Sequence, residues 1–142
     1  MSRDYWAIEG YGINTEDIMQ YVNKDKVIGH LKRLIPNAIF EEDIFDDDVF
    51  CGDPYSNFAE FLCELDETET MSWNDDANGE SYFLYEPRYP WHIKENDPKS
   101  YEEAEEIILN VLNKVCDIDM DNTRSIDEIR QHIYDISTYG CC

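Results

Sequence analysis

The chain has 142 residues, with 33 Asp and Glu against 11 Lys and Arg, giving a formal charge of −22 and a sequence pI near 4.1. A hydrophobic share of 42%, with 13% aromatics, is too rich for a disordered acidic tail, so one folded domain that buries roughly two-thirds of its unfolded surface is expected. The same charge argues against direct binding to nucleic acid or anionic membrane, where like charges would crowd without releasing counterions.

Residues 5–13 combine Tyr5, Trp6, Ile8, Tyr11 and Ile13 with two late glycines, and read as a strand that turns out at Gly10 or Gly12. Asn14 or Thr15 then caps a short helix through Val22. A second helix covers 25–35, with Val27, Ile28, Leu31, Leu34 and Ile35 on one face until Pro36 stops it. Asp53, with Pro54 at the first helical position, opens a third, in which Tyr55, Phe58, Phe61, Leu62 and Leu65 fall at helical spacing. Residues 71–74 and 81–86 pair as strands around the hairpin-type turn at Asn78 and Gly79. Ser100 with Glu103 forms a capping box, and Ala104, Ile107, Ile108, Val111, Leu112 and Val115 trace one helical stripe. Ser125 with Glu128 repeats the box ahead of Ile129, Ile133 and Ile136, making a final amphipathic helix. The expected fold is a single α+β domain spanning 1–142: a small antiparallel sheet of about three strands packed with four to five helices.

The charge is unevenly placed. Residues 1–33 hold five acids and five bases, 34–87 hold sixteen acids and no base, and 88–142 hold twelve acids and six bases. A base-free stretch of this kind cannot neutralise itself through local ion pairs, so its field meets solvent, cations or a basic partner. Within it Glu41, Glu42, Asp43, Asp46, Asp47 and Asp48 surround Ile44 and Phe45. The ordinary reading is a solvated face anchored by the apolar pair. The functional one is a negative strip that imitates a phosphate array, since duplex DNA carries about one charge per 1.7 Å of axis. A second acidic stretch, 66–76, ends in Asp75 and Asp76. Residues 81–91 do not alternate polar with apolar, which predicts either a strand covered on both faces or an exposed aromatic surface. Tyr89 and Trp91, together with Phe45 and Tyr55, suit partner anchoring, being large and low in entropy cost.

Asp117, Asp119, Asp121, Ser125 and Glu128 place oxygens at positions one, three, five, nine and twelve of a loop between helices, the spacing a calcium ion needs. Over these twelve residues the loop resembles an EF-hand, but Asn122 replaces the turn glycine and Arg124 stands at a normally apolar position. The competing reading is a solvated loop whose Ser125 and Glu128 cap the helix without metal. No P-loop, dinucleotide fingerprint, nucleophile elbow or HExxH pattern is present. His30, His92 and His132 stand far apart with no cysteine at ligand spacing. Glu95, Asp97 and Lys99 resemble half of a metal-dependent nuclease site, yet a domain of this charge opposes phosphate approach. No enzymatic activity is therefore expected. Cys51, Cys63, Cys116, Cys141 and Cys142 form an odd set without a CxxC pair, as free thiols in a reducing compartment do. With no window near 18 apolar residues, and Asp4 and Glu9 where a signal peptide needs an apolar core, the expected location is cytoplasmic.

Residues 5–13, 58–65 and 81–85 resemble stretches of small proteins from phages and mobile elements of Gram-positive bacteria, and the acidic character is similar to that of anti-CRISPR proteins. The resemblance implies a non-enzymatic inhibitor, acting in the host bacterial cytoplasm, that binds a basic nucleic-acid-binding protein such as a Cas nuclease. It carries over no residue roles and no common fold. An immunity protein against a nuclease toxin is a related alternative, and a calcium-binding module using the 117–128 loop is one of a different class.

Overall fold

The computed structural model describes residues 5–34, 57–86 and 98–141. Strand β1 (Tyr5–Asn14) leads into a short helix α1 (Thr15–Ile18), a 3-10 turn (Met19–Tyr21) and helix α2 (Lys24–Leu34). Helix α3 (Phe58–Leu65) precedes the hairpin of β2 (Ser72–Asp75) and β3 (Ser81–Tyr85). Helices α4 (Tyr101–Asn113) and α5 (Thr123–Arg130) follow, then strand β4 (Tyr134–Cys141). The four strands form one antiparallel sheet in the order β2-β3-β1-β4, which makes the protein α+β.

Most helices begin where a side chain satisfies their free amides. Asn14 accepts from the Glu16 amide at 3.0 Å, Asn57 from Glu60 at 2.8 Å, and Ser100 from Glu103 at 3.3 Å. Each such cap contributes about 1 kcal/mol. Asn57 is extended, so the described helix starts at Phe58; the start expected at Asp53 and Pro54 lies outside the described residues, as does Ile35. The last helix begins and ends differently from the expectation. Asn122, rather than Ser125, caps α5 by accepting from the Arg124 amide at 3.0 Å, and α5 ends at Arg130.

Ile136 therefore belongs to a strand. The 129, 133, 136 spacing fits a helix, but Tyr134, Ile136, Thr138 and Tyr139 also favour extended backbone. Pairing with the long β1, from Tyr5 opposite Cys141 to Gly12 opposite Tyr134, decides between them. This fourth strand is the one the sequence reading did not include. β1, expected to turn out at Gly10 or Gly12, instead continues as one strand through both glycines to Asn14. Leu84 of β3 lies over them: a Cβ on Gly10 or Gly12 would collide with the Leu84 side chain and the β3 backbone.

α1, α3 and α4 pack on the sheet, α3 against β2 and β3 and α4 against β1. The core between these layers centres on Ile13, Phe61, Leu62, Phe83, Ile108 and Leu112, all inaccessible to solvent. Full burial of such side chains is worth about 1.5–3 kcal/mol each. The α4 stripe enters this core as expected, with Ile107 at its partly buried margin. On the other face a smaller cluster joins Ile8, Tyr82, Leu84 and Ile136. Strand β3 is thus buried on both faces and sits inside the sheet, the first of the two arrangements its composition allowed.

The sheet is also curled. Ala77, in the β2–β3 turn, donates its backbone N–H to the Tyr139 carbonyl of β4 at 2.9 Å, although β4 forms the edge opposite β2. In a flat sheet Tyr139, which pairs with Ala7, would lie at least about 26 Å along the strands from that turn, which stands beyond the Asn14–Tyr82 pair. The far half of β1 and β4 must fold over for the bond to form. No helix among the described residues is long and apolar enough to cross a membrane.

Candidate functional site

The acidic stretches named from sequence fare differently. Glu41, Glu42, Asp43, Phe45, Asp46, Asp47, Asp48, Tyr55, Tyr89 and Trp91 lie outside the described residues. Asp75 is exposed at the end of β2, its Oδ1 accepting from Asn57 Nδ2 at 2.9 Å and from the Ser81 hydroxyl. Asp76, by contrast, is only 7% exposed. Its Oδ1 accepts from the Asn78 and Glu80 amides at 2.9 and 3.0 Å, and its Oδ2 from the Tyr82 hydroxyl at 3.0 Å. Asp76 therefore builds the hairpin turn and is not offered to a partner. Asp66 does the same for the loop after α3, accepting from the amides of Thr68, Thr70 and Met71 at 3.0 Å. Aspartate folds readily onto amides a few residues ahead, and nothing in the sequence separates such an acid from a solvated one.

Burial, with the Asp76 and Glu80 carboxylates as hydrogen-bond partners, pushes the Tyr82 hydroxyl well above the usual phenol range. Tyr134 is raised too, by burial and then by the charges of Asp17, Glu80 and Asp76. These acids therefore share one end of the sheet.

The 117–128 loop does not assemble as a calcium site. Asp117 Oδ1 accepts from Asn23 Nδ2 at 3.0 Å, Asp119 Oδ1 accepts from the Asp121 amide at 3.1 Å, and Ser125 Oγ accepts from the Asp119 amide at 3.1 Å. Glu128 stands exposed on α5. Among the described residues no group of three or more His, Cys, Asp or Glu is placed to hold a metal ion. The spacing matched because a helix-capping loop and a calcium loop use the same oxygen-bearing residue types.

Tertiary structure organises a different acidic feature, along α4. Glu102, Glu103, Glu105 and Glu106 follow its cap, and α4 contains no base. The first two suit the positive end of the helix. Like-charge pairs at i,i+3 and i,i+4, such as Glu102 with Glu105 and Glu106, each cost about 0.2–0.5 kcal/mol in an isolated helix. With the apolar stripe fixed against β1, Glu102, Glu105 and Glu106 wall a groove of about 550 Å³ between α4 and α5. Its floor is Leu109, Met120 and Ile126, with Arg130 at one side. Glu105 is held in place: Oε2 accepts from the Tyr11 hydroxyl at 3.2 Å, and Oε1 pairs with Arg130 Nε. Burial and the Glu105 charge raise the Tyr11 hydroxyl above its ordinary range. Tyr101, 57% exposed, stacks on Tyr11 with ring centroids 4.8 Å apart. It faces a smaller groove of about 300 Å³ that Glu9 and Asp135 also line.

Several bases are spent on backbone rather than on acids. Lys26 Nζ donates to the Cys116 carbonyl and Lys114 Nζ to the Leu65 carbonyl, each at 2.7 Å, and His30 Nε2 donates to the Lys114 carbonyl at 3.1 Å. The last two bonds satisfy carbonyls that the ends of α3 and α4 leave open, Leu65 being the last residue of α3 and Lys114 the C-cap of α4. Lys114 also reaches Glu67 at 3.5 Å.

The α4 carboxylates, Met120 and Ile126 were absent from the sequence-derived binding set. The available signal was a helix whose polar face holds four acids in five residues with no base. No family model, curated protein or solved structure matches this chain.

Proposed function

We propose that this protein is a non-enzymatic inhibitor that binds a cationic, nucleic-acid-processing enzyme, a Cas-type defence nuclease, and keeps nucleic acid out of its groove. The observation that carries this reading is the uncompensated acidity of a folded surface. α4 keeps Glu102 and Glu106 exposed with no base on the helix, while Lys26 and Lys114 direct their ammonium groups to carbonyls. Together with the base-free stretch 34–87, this gives a field that steers a basic surface inward and repels phosphate. Affinity requires apolar contact as well, because charge contributes mainly rate and selectivity.

The test is co-purification with a panel of Cas nucleases at about 0.1 M and about 1 M salt, with target cleavage as readout. A complex that weakens with salt and suppresses cleavage supports the proposal. A panel without binding, or binding indifferent both to salt and to neutralising Asp46, Asp47 and Asp48, overturns it. An immunity protein would use the same chemistry, and protection against a nuclease toxin in place of Cas inhibition would identify that version.

A further inference from the structure

We infer that the groove between α4 and α5 is the seat of one partner segment: a basic peptide in which arginine alternates with large apolar side chains. This rests on the reading that the partner is cationic, and it says where and by what chemistry that partner is held.

Two properties of the groove select this occupant together. Its rim is anionic, with Glu102 and Glu106 exposed and Glu105 between them. Its floor is apolar, with Leu109 almost fully buried, Ile126 half-buried and Met120 37% exposed. A polycation without apolar groups leaves the floor wet, and an apolar peptide without cations leaves the carboxylates unmatched. Arginine satisfies both, since its stem covers apolar surface while the planar guanidinium meets carboxylates.

The chain itself shows the interaction once: the Arg130 guanidinium rests on Glu105 at the side of the groove, while Glu102 and Glu106 keep open rims. The opening of about 550 Å³ falls within the range of built binding clefts. Its wall is rigid, because Ile108 and Leu112 anchor the opposite face of α4 in the core. Met120 supplies a floor that adapts to the shape of the incoming side chain.

The experiment titrates the isotope-labelled full chain with a synthetic alternating arginine–leucine peptide, using an arginine–serine peptide of equal charge as control. Shift changes should concentrate at Leu109, Asn110, Met120 and Ile126. The pair Glu102→Gln and Glu106→Gln should weaken the arginine–leucine peptide about tenfold, and Met120→Ser should weaken it while leaving arginine–serine unchanged. All of these substitutions fall on exposed positions and leave the core intact. Shift changes spread over every acidic surface, or an equal loss from the control pair Glu64→Gln and Glu69→Gln, would reduce the effect to general polyanion attraction and overturn the inference. The titration needs no nuclease. A protein that inhibits its nuclease but fails here keeps its function and loses the groove, whereas groove binding without inhibition does the reverse.

Discussion

The backbone N–H of Ala77 reaches the carbonyl of Tyr139 at 2.9 Å, tying the tip of the β2–β3 hairpin to the opposite edge strand. The bond covers part of the β4 edge, which would otherwise offer unpaired groups to another chain. Ala77 itself is exposed. Its amide should nonetheless exchange with solvent as slowly as strand amides do, and rapid exchange would show that the curl opens freely in solution.

Gly12 permits that curl, because a Cβ there would meet Phe83 and Leu84 backbone atoms as well as the Leu84 side chain. Gly12→Ala should cost about 1–3 kcal/mol in urea unfolding and should speed exchange at Ala77. Gly29, exposed on α2 with open space around it, is the opposite case. Gly29→Ala should stabilise the protein by about 0.5–1 kcal/mol through helix propensity and loss of chain entropy.

Asp66 is only 4% exposed, and its carboxylate accepts three backbone amides and the Thr68 hydroxyl. Removing the acceptor leaves buried donors unpaired, so Asp66→Ala should cost about 2–3 kcal/mol. Asp66→Asn, which keeps one carbonyl acceptor, should fall between the two. Equal stability of wild type and Asp66→Ala would refute the structural role.

Burial pushes the Cys63 and Cys116 thiols up to about 12. For Cys63 the nearby Asp66 and Glu60 add to the shift, whereas for Cys116 the Lys26 charge opposes it. Both thiols should therefore resist alkylation near pH 8 until the chain unfolds, which peptide mapping by mass spectrometry resolves. The folded value lies above the ordinary 9.0, so the associated stability is complete below about pH 9 and is lost as pH rises toward 12. The slope is at most about 1.4 kcal/mol per pH unit for each thiol. Cys63→Ala should flatten that alkaline slope whatever it does to stability at neutral pH.

Because Asp117 and Asp119 are engaged by Asn23 and the Asp121 amide, calcium should produce no heat attributable to the 117–128 loop. Calorimetry on wild type and Glu128→Gln should give the same trace at millimolar calcium. A signal lost only in the variant would restore the EF-hand reading.

Local patterns were legible without coordinates: the Ser100 cap and apolar stripe of α4, the hairpin around Asn78 and Gly79, the apolar character of both faces of β3, and hence the α+β class. These depend on interactions within one helix or one hairpin, or on apolar content dense enough to demand burial. What local spacing could not decide was settled by partners distant in the chain. Ile136 joined a strand because β1 lay open to pair with it, and Gly10 and Gly12 stayed in β1 because Leu84 fills the space above them. The acids divided by the same logic. Asp66 and Asp76 turned inward onto nearby amides, while Glu102, Glu105 and Glu106 became the wall of a groove once α5 and Met120 packed beside them. Sequence by itself determined that this protein carries a large negative charge with little to neutralise it; only the tertiary structure decided which carboxylates face outward, because that depends on which polar groups the fold brings within hydrogen-bond reach.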